Sequence, residues 1–277
     1  MKGLRIGIVG LGFMGRMHYR CWREVGGAEV VAVCDKRVNK GEEARLGEVN
    51  IAGAEGEVNG EKLKIYGDWK EMLREEELDA VSITVPTYLH RQYTEDALGT
   101  GWHVLCEKPM ALSWGDSQRM VKAAEKSGRV LQVGQCLRFW PEYVKAREIA
   151  QGGEYGKVLG LSMRRVGSAP SWGEGWFGDD KLSGGMMLDL HIHDADYAQC
   201  LLGVPRAVRS VGHKGGDGSV RHVVTQYLYE DDKLVVAEGG WEMTGSFGFE
   251  MSFQMRLERA TIVYDNTRAP TMPAARA

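Results

Sequence analysis

At 277 residues the chain exceeds the usual size of one domain, and with 43% apolar and 26% charged residues it has the composition of a globular protein with room for two cores. A formal net charge of -3, with Lys and Arg interspersed among Asp and Glu, argues against the basic stripe of a nucleic-acid binder. No uncharged apolar run approaches the roughly 20 residues of a membrane helix, and five scattered cysteines without a C-x-x-C pair outline neither a disulfide framework nor a zinc knuckle.

The N-terminus, Met1-Lys2-Gly3-Leu4-Arg5, runs straight into a short apolar strand without a leader-like segment, and a cytoplasmic location is expected. Nearly continuous apolar runs at 4–9, 30–34, 80–85, 103–106 and 130–133 read as strands buried on both faces. Amphipathic patterns at 14–24, 69–75, 91–98 and 114–125 fall between them, which gives a βαβ succession and a parallel sheet. The glycine-rich stretch 47–60 interrupts the rhythm and reads as a loop or small hairpin inserted before Leu63-Lys64-Ile65-Tyr66.

After Gly134 the pattern changes. Helical segments are expected at 141–150 and 186–202, and strands at 158–166, 207–211, 220–229, 233–237 and 249–257, joined by turns of which Glu230-Asp231-Asp232 is the clearest. The fold class is therefore α/β: a first domain over 1–134 with a parallel sheet, and a second, α+β domain over 135–277 with a largely antiparallel sheet. Residues 269–277 carry little structural signal.

Gly10-Leu11-Gly12-Phe13-Met14-Gly15 follows a strand and opens a helix, the context in which G-x-G-x-x-G has meaning. The first glycine permits a tight turn, the second lets backbone approach a pyrophosphate, and the third allows helix and strand to pack closely, with N–H groups at the helix start facing the anion. Asp35 ends the second strand about twenty residues after Gly15, where an acid accepts hydrogen bonds from ribose hydroxyls and favours NAD. Lys36 and Arg37 follow it and are placed to grip a 2′-phosphate, which keeps NADP open; an ordinary turn with a surface acid is the competing reading.

Glu107-Lys108-Pro109 closes the fifth strand, and ligands of open α/β sheets sit at the carboxyl ends of strands. A lysine near a nicotinamide would hydrogen-bond a reacting oxygen and share its proton, with Pro109 biasing it towards extended geometry. A solvated surface lysine is the alternative. In a helix, Asp189, His193 and Asp196 at i, i+4 and i+7 share one face, and a carboxylate one turn from an imidazole holds its tautomer for proton exchange. A partly buried, hydrogen-bonded helix face is the alternative there. His191 and His193 diverge by about 200° on a helix, unlike the i, i+4 pair of a zinc motif, so no metal is expected.

Together these residues resemble the glucose-fructose oxidoreductase, inositol dehydrogenase and rhizopine catabolism family (Gfo/Idh/MocA). The glycine motif, Thr84-Val85-Pro86 followed by His90, Glu107-Lys108-Pro109, Arg138-Phe139, Glu154-Tyr155-Gly156-Lys157-Val158 and the Gly-Gly-x-x-x-Asp-x-x-x-His run from Gly184 to His193 recur in order over almost the whole chain. The resemblance implies a Rossmann domain followed by an open-faced α+β domain. It places the dinucleotide along Gly10, Gly12, Phe13, Met14, Gly15, Asp35, Lys36, Thr84, Pro86, His90, Glu107, Lys108 and Gln135. Lys108, Asp189 and His193 match the catalytic positions, with either Lys108 or His193 as the terminal acid/base.

On that likeness the reaction is hydride transfer between a nicotinamide and a hydroxyl-bearing or keto carbon of a sugar, inositol or polyol. Arg165, Trp172 and Trp176 join Lys108, Asp189 and His193 as candidate substrate contacts, their alternatives being a surface charge and loop packing. A homo-dimer or homo-tetramer paired through the open sheet face is expected, with no nucleic-acid or membrane partner. The sequence departs from the family after Thr261-Ile262-Val263-Tyr264-Asp265, where a further strand and helical material are expected, so a truncated or frameshifted product is one reading. Two other functions stay open: an NAD-dependent glycosidase-type enzyme that oxidises, eliminates and re-reduces, and a non-catalytic dinucleotide-binding protein.

Overall fold

The computed structural model describes residues 3–37, 63–170 and 175–267. The expected loop at 47–60, Trp172 and the tail at 269–277 lie outside them. The chain divides into two compact units, one formed by 1–134 with 181–183 and the other by 135–180 with 184–277.

The first unit is a six-stranded sheet in the order β3-β2-β1-β4-β5-β6. Its strands are β1 (Leu4–Val9), β2 (Ala28–Cys34), β3 (Lys64–Tyr66), β4 (Ala80–Ile83), β5 (His103–Cys106) and β6 (Leu131–Val133), and every pairing is parallel. Helices α1 (Phe13–Glu24), α2 (Trp69–Glu75), α3 (His90–Thr100) and α4 (Trp114–Ser127) connect them. Ile6, Ile8, Val33, Val81 and Ile83 are fully buried, as expected of strands covered on both faces.

Local chemistry fixes the helix ends. Asp68 caps α2 by accepting from the Lys70 N–H, Ser113 caps α4 by accepting from the Asp116 N–H, and α3 and α4 stop at Gly101 and Gly128, both left-handed at φ 91° and 65°. The strand expected over 80–85 ends at Ile83. Thr84 there turns its hydroxyl onto the carbonyls of Val9 and Gly10, at 2.9 and 2.6 Å, and leaves the strand direction. Strand order reverses between β1 and β4, so Gly10 and Thr84 stand at the switch point of the sheet, where open α/β sheets bind ligands.

The second unit contains α5 (Pro141–Gly152), β7 (Val158–Val166), a π-helical turn (Met187–His191), α7 (Ile192–Leu202), β8 (Ala207–Lys214), β9 (Val220–Leu228), β10 (Leu234–Gly240), β11 (Glu250–Leu257) and β12 (Thr261–Asp265), while the single turn α6 (Asp180–Ser183) falls at the division, with 181–183 counted in the first unit. The sheet order is β12-β11-β7-β10-β9-β8. Its pairings are antiparallel except β7 with β10, which are parallel because the chain between them crosses back through α7 and the β8–β9 hairpin. One face buries Leu161, Met163, Val235, Ala237, Phe253 and Met255 against Tyr143, Ala146, Tyr197 and Ala198 of α5 and α7. The alternate residues, among them Ser162, Arg164, Gln226 and Gln254, project from the other face, as the period of two requires.

The helix expected over 186–202 is interrupted. Gly184 and Gly185 take φ of 80° and 61°, and the backbone then widens into the π turn before α7 begins. A Cβ on Gly185 would meet the Asp180 carboxylate at 2.4 Å, a side-chain end that can move aside, so it is the left-handed φ that reserves this position for glycine. Single π turns inside helices often mark functional positions.

Candidate active site

In the first unit the glycine turn is built as a cradle. Gly10 has φ 88°, and a Cβ on Gly15 would lie 1.9 Å from the Gly10 carbonyl oxygen, so helix α1 sits where only glycine allows it. At Gly12 nothing among the described residues lies within 4 Å of a Cβ position. That open space leaves its backbone approachable, Phe13 and Met14 open α1 directly behind it, and no acidic residue occupies the first turn to compete for an anion.

Asp35 is buried, and its Oδ2 accepts from the Leu11 N–H at 2.7 Å while Oδ1 accepts from the Arg37 N–H at 2.9 Å. The Arg37 guanidinium donates through Nε to Oδ1 and through Nη2 to Oδ2. Burial alone would raise this carboxyl, but the hydrogen bonds from Arg37 and Leu11 and the charge of Arg37 outweigh it and hold Asp35 below the usual carboxylate range. The acid is thus an ionised acceptor at the end of β2, beside the exposed turn residue Lys36.

At the end of β5, His18 Nε2 donates to Glu107 Oε1 at 2.8 Å and the Lys108 N–H donates to Glu107 Oε2 at 3.1 Å. Burial pushes Glu107 up, yet the hydrogen bond and charge of His18, with the charge and backbone of Lys108, leave it ionised and below the usual range. Gly134 makes room for this carboxylate, since a Cβ there would stand 3.2 Å from Oε1. The cis peptide between Lys108 and Pro109 follows, with Lys108 half-buried. His18 was absent from the sequence expectations; the one signal for it was its place on the helix that the glycine motif opens, three residues after Gly15.

His90 does not present its ring to a ligand. It is buried, with Nδ1 2.7 Å from the Pro109 carbonyl and Nε2 2.9 Å from that of Val85, and so ties the turn after β4 to the turn after β5. Thr84 is likewise engaged with backbone carbonyls, and Pro86 caps a short 3-10 turn over Thr87–Leu89.

In the second unit Asp189 lies in the π turn and His193 at the start of α7, both half-buried. His193 Nδ1 is 3.9 Å from Cys136 Sγ. Asp196 is held by a two-pronged ion pair, Arg138 Nε to Oδ2 at 2.8 Å and Nη2 to Oδ1 at 2.5 Å, and this pairing raises the Arg138 pKa. Gln135 Oε1 is buried without a hydrogen-bond partner among the described residues. Trp176 stacks on Phe177 with centroids 4.0 Å apart. Arg165, expected as a substrate contact, points inward: it is 3% exposed and its guanidinium is bound to Asp194 and Tyr143, because its strand position faces α5 and α7. Among the described residues no group of three or more His, Cys, Asp or Glu is arranged to hold a metal ion, and no helix is long and apolar enough to cross a membrane.

An open glycine turn at a helix start, an ionised acid closing the next strand and a sheet reversing at that point fit a dinucleotide. Residues 4–135 match the Gfo/Idh/MocA model for an oxidoreductase family with an NAD-binding Rossmann fold, and residues 143–263 match the model for its C-terminal domain. The chain belongs to the Gfo/Idh/MocA oxidoreductase family. It is 30% identical over 244 residues to the 2,7-anhydro-N-acetylneuraminate hydratase of Mediterraneibacter gnavus, a match covering 85% of this chain and 58% of the hydratase. It is 27% identical to the myo-inositol 2-dehydrogenase of Thermotoga maritima, over 97% of this chain and 77% of that enzyme. The WlbA dehydrogenase from Bordetella pertussis, solved with NADH and UDP-GlcNAcA, shares the fold with a TM-score of 0.78 at 20% identity, over 95% of this chain and 78% of that one. The chain therefore spans little more than half the length of one of these Gfo/Idh/MocA relatives and about three-quarters of the others.

Proposed function

We propose that the protein is an NAD-dependent dehydrogenase or reductase acting on a hydroxyl or keto carbon of a sugar, inositol or related polyol. The observation that carries this reading is the open backbone at Gly12 beside an ionised Asp35, in a chain whose relatives include an inositol dehydrogenase. Gly10, Gly12, Phe13, Met14 and Gly15 would hold the diphosphate, and Asp35 the adenosine ribose. A carboxylate facing a ribose 2′-hydroxyl accepts hydrogen bonds from it and repels a phosphate there, which favours NAD over NADP. When bound, a nicotinamide supplies the hydride acceptor or donor.

Lys108 is assigned the hydrogen bond to the reacting oxygen. Glu107 fixes the Lys108 backbone, so the side chain starts from a held position. His193 is assigned the hydroxyl proton and Asp189 its orientation. The unit that follows residue 134 is assigned the substrate and self-association through the sheet face from which Ser162, Arg164, Gln226 and Gln254 project, with Trp176 as a stacking surface for a sugar ring.

A second reading is favoured by a relative named as a hydratase: a reaction with no net oxidation, in which NAD(H) would return to its starting state in each turnover and no reduced coenzyme would accumulate. Incubating the protein with a panel of inositols, sugars and glycosides, following both NADH absorbance and product by mass spectrometry, separates the two. NADH build-up on a polyol supports the dehydrogenase, and product without NADH supports the alternative. Lys108→Met should lower turnover by roughly 10²- to 10⁴-fold with NAD binding near normal, and undiminished turnover removes Lys108 from the chemistry.

A further inference from the structure

Next to His193 lie two residues that the proposed chemistry does not use and that are more deeply buried than those it does. Asp194 is 0% exposed and His191 3%. Asp194 Oδ2 accepts from Arg165 Nε at 2.9 Å and Oδ1 from Arg165 Nη2 at 3.1 Å. Nη2 also donates to the Tyr143 hydroxyl at 3.1 Å, and Nη1 stands 3.4 Å from Met251 Sδ. Burial opposes the charge on Arg165, but Asp194 overcomes it and keeps the guanidinium protonated.

Such a pair gains little stability over apolar groups of the same volume, because desolvating two ions offsets most of their attraction; its two-pronged geometry, by contrast, fixes the rotation of whatever carries it. On the other side of His193, His191 Nε2 meets Thr225 Oγ1 on β9 at 3.0 Å. Gly239 on β10 admits that ring, since a Cβ there would lie 2.9 Å from His191 Nδ1. The π turn ends at His191. The helix that bears His193 is therefore bolted to the sheet at the residue immediately after it and at the residue two before it.

We propose that Asp194 and Arg165 are positioning residues for His193: the buried fork sets the phase of α7 after the π turn and so aims the imidazole between them and His191. This rests on the reading of His193 as the proton-exchanging group. The pair acts through the backbone and touches neither substrate nor coenzyme.

The test uses the full chain carrying Asp194→Asn, Arg165→Lys, or the apolar pair Arg165→Met with Asp194→Leu, beside His193→Ala as reference. The apolar pair removes the fork without leaving a lone buried charge, so it folds where a single variant fails. Expected for each folded variant are an unchanged NAD dissociation constant, a KM near wild type and a kcat lower by roughly 10- to 100-fold, as for a reacting group displaced by about 1 Å. The limb of the pH–rate profile that reports His193 should also move, which a purely structural loss of folded protein would not produce. Arg165→Lys, which keeps the charge and loses the fork, should fall with the others. If His193→Ala is inactive while kcat and pH profile of the Asp194 and Arg165 variants stay within twofold of wild type, the positioning role is overturned. If His193→Ala retains turnover, the assignment of His193 falls, and this proposal with it.

Discussion

Asp35, at the end of β2, accepts a hydrogen bond from the backbone N–H of Leu11, inside the glycine turn, at 2.7 Å. One carboxylate thus holds the glycine turn and, on the proposed reading, would also be the acceptor offered to the ribose. Asp35→Ser should weaken NAD binding by roughly ten- to a hundredfold, the value of one or two hydrogen bonds to a charged group, and weaken NADP binding less. Isothermal titration with both coenzymes measures the split, and equal losses would remove the ribose role. Because the Leu11 N–H loses its partner, a drop of about 1–3 kcal/mol in stability should accompany it.

His18 and Glu107 form a second coupling, between α1 and the end of β5. Removing the imidazole leaves an ionised carboxylate buried with fewer partners. His18→Leu should cost about 1.5–3 kcal/mol by urea denaturation, and Glu107→Gln placed on top should recover part of that by removing the charge. A double-mutant cycle measures the coupling, and strictly additive losses would show that the two side chains do not depend on each other.

Much of this architecture was legible in the sequence because it rests on local rules. The strands at 4–9, 103–106 and 158–166 and the helix at 69–75 coincide with the apolar runs and periodicities that indicate them, and Gly10 and Gly15 stand where their lack of a Cβ is needed. What was not legible depends on partners distant in sequence. His18 meets Glu107 across 89 residues, Arg138 meets Asp196 across 58, and nothing near Arg165 announces that Asp194, 29 residues on, draws it into the core. The π turn was hidden for another reason: it preserves an apolar helical pattern and differs from an α-helix only in where an extra residue is accommodated. The parallel β7–β10 pairing escaped because strand periodicity carries no information about direction.

The two glycines that bracket the start of α1 should respond differently to alanine. At Gly12, φ is −70° and space is open, so Gly12→Ala should keep the wild-type melting temperature while the new methyl obstructs the backbone surface offered to the diphosphate. NAD affinity should fall at least tenfold with the fold intact. Gly15→Ala must push its methyl against the Gly10 carbonyl, so α1 or β1 has to move, and both stability and NAD binding should fall. Thermal melts with and without NAD separate the cases: a Gly12→Ala protein as destabilised as Gly15→Ala would mean that the open space is not a ligand surface.

His90 gives the pH prediction. Burial holds its pKa below the ordinary histidine value, although the Pro109 and Val85 carbonyls and the charge of Glu107 pull the other way. In the unfolded chain the ring titrates near 6.5. Between that value and the lower folded one the unfolded state binds the extra proton, so stability is full above about 6.5 and declines as pH falls through the window, by about 1.4 kcal/mol for each pH unit in which only the unfolded chain is protonated. His191 is depressed by burial too and contributes with the same sign. Asp35 and Glu107, whose folded values lie below the carboxylate range, add losses only under about pH 4. Denaturation midpoints from pH 7 to 5 should therefore decline more steeply for the wild type than for His90→Gln, with His191 remaining in both. Parallel slopes would mean that His90 takes up its proton in the folded protein, donating from both ring nitrogens to the two carbonyls that face it.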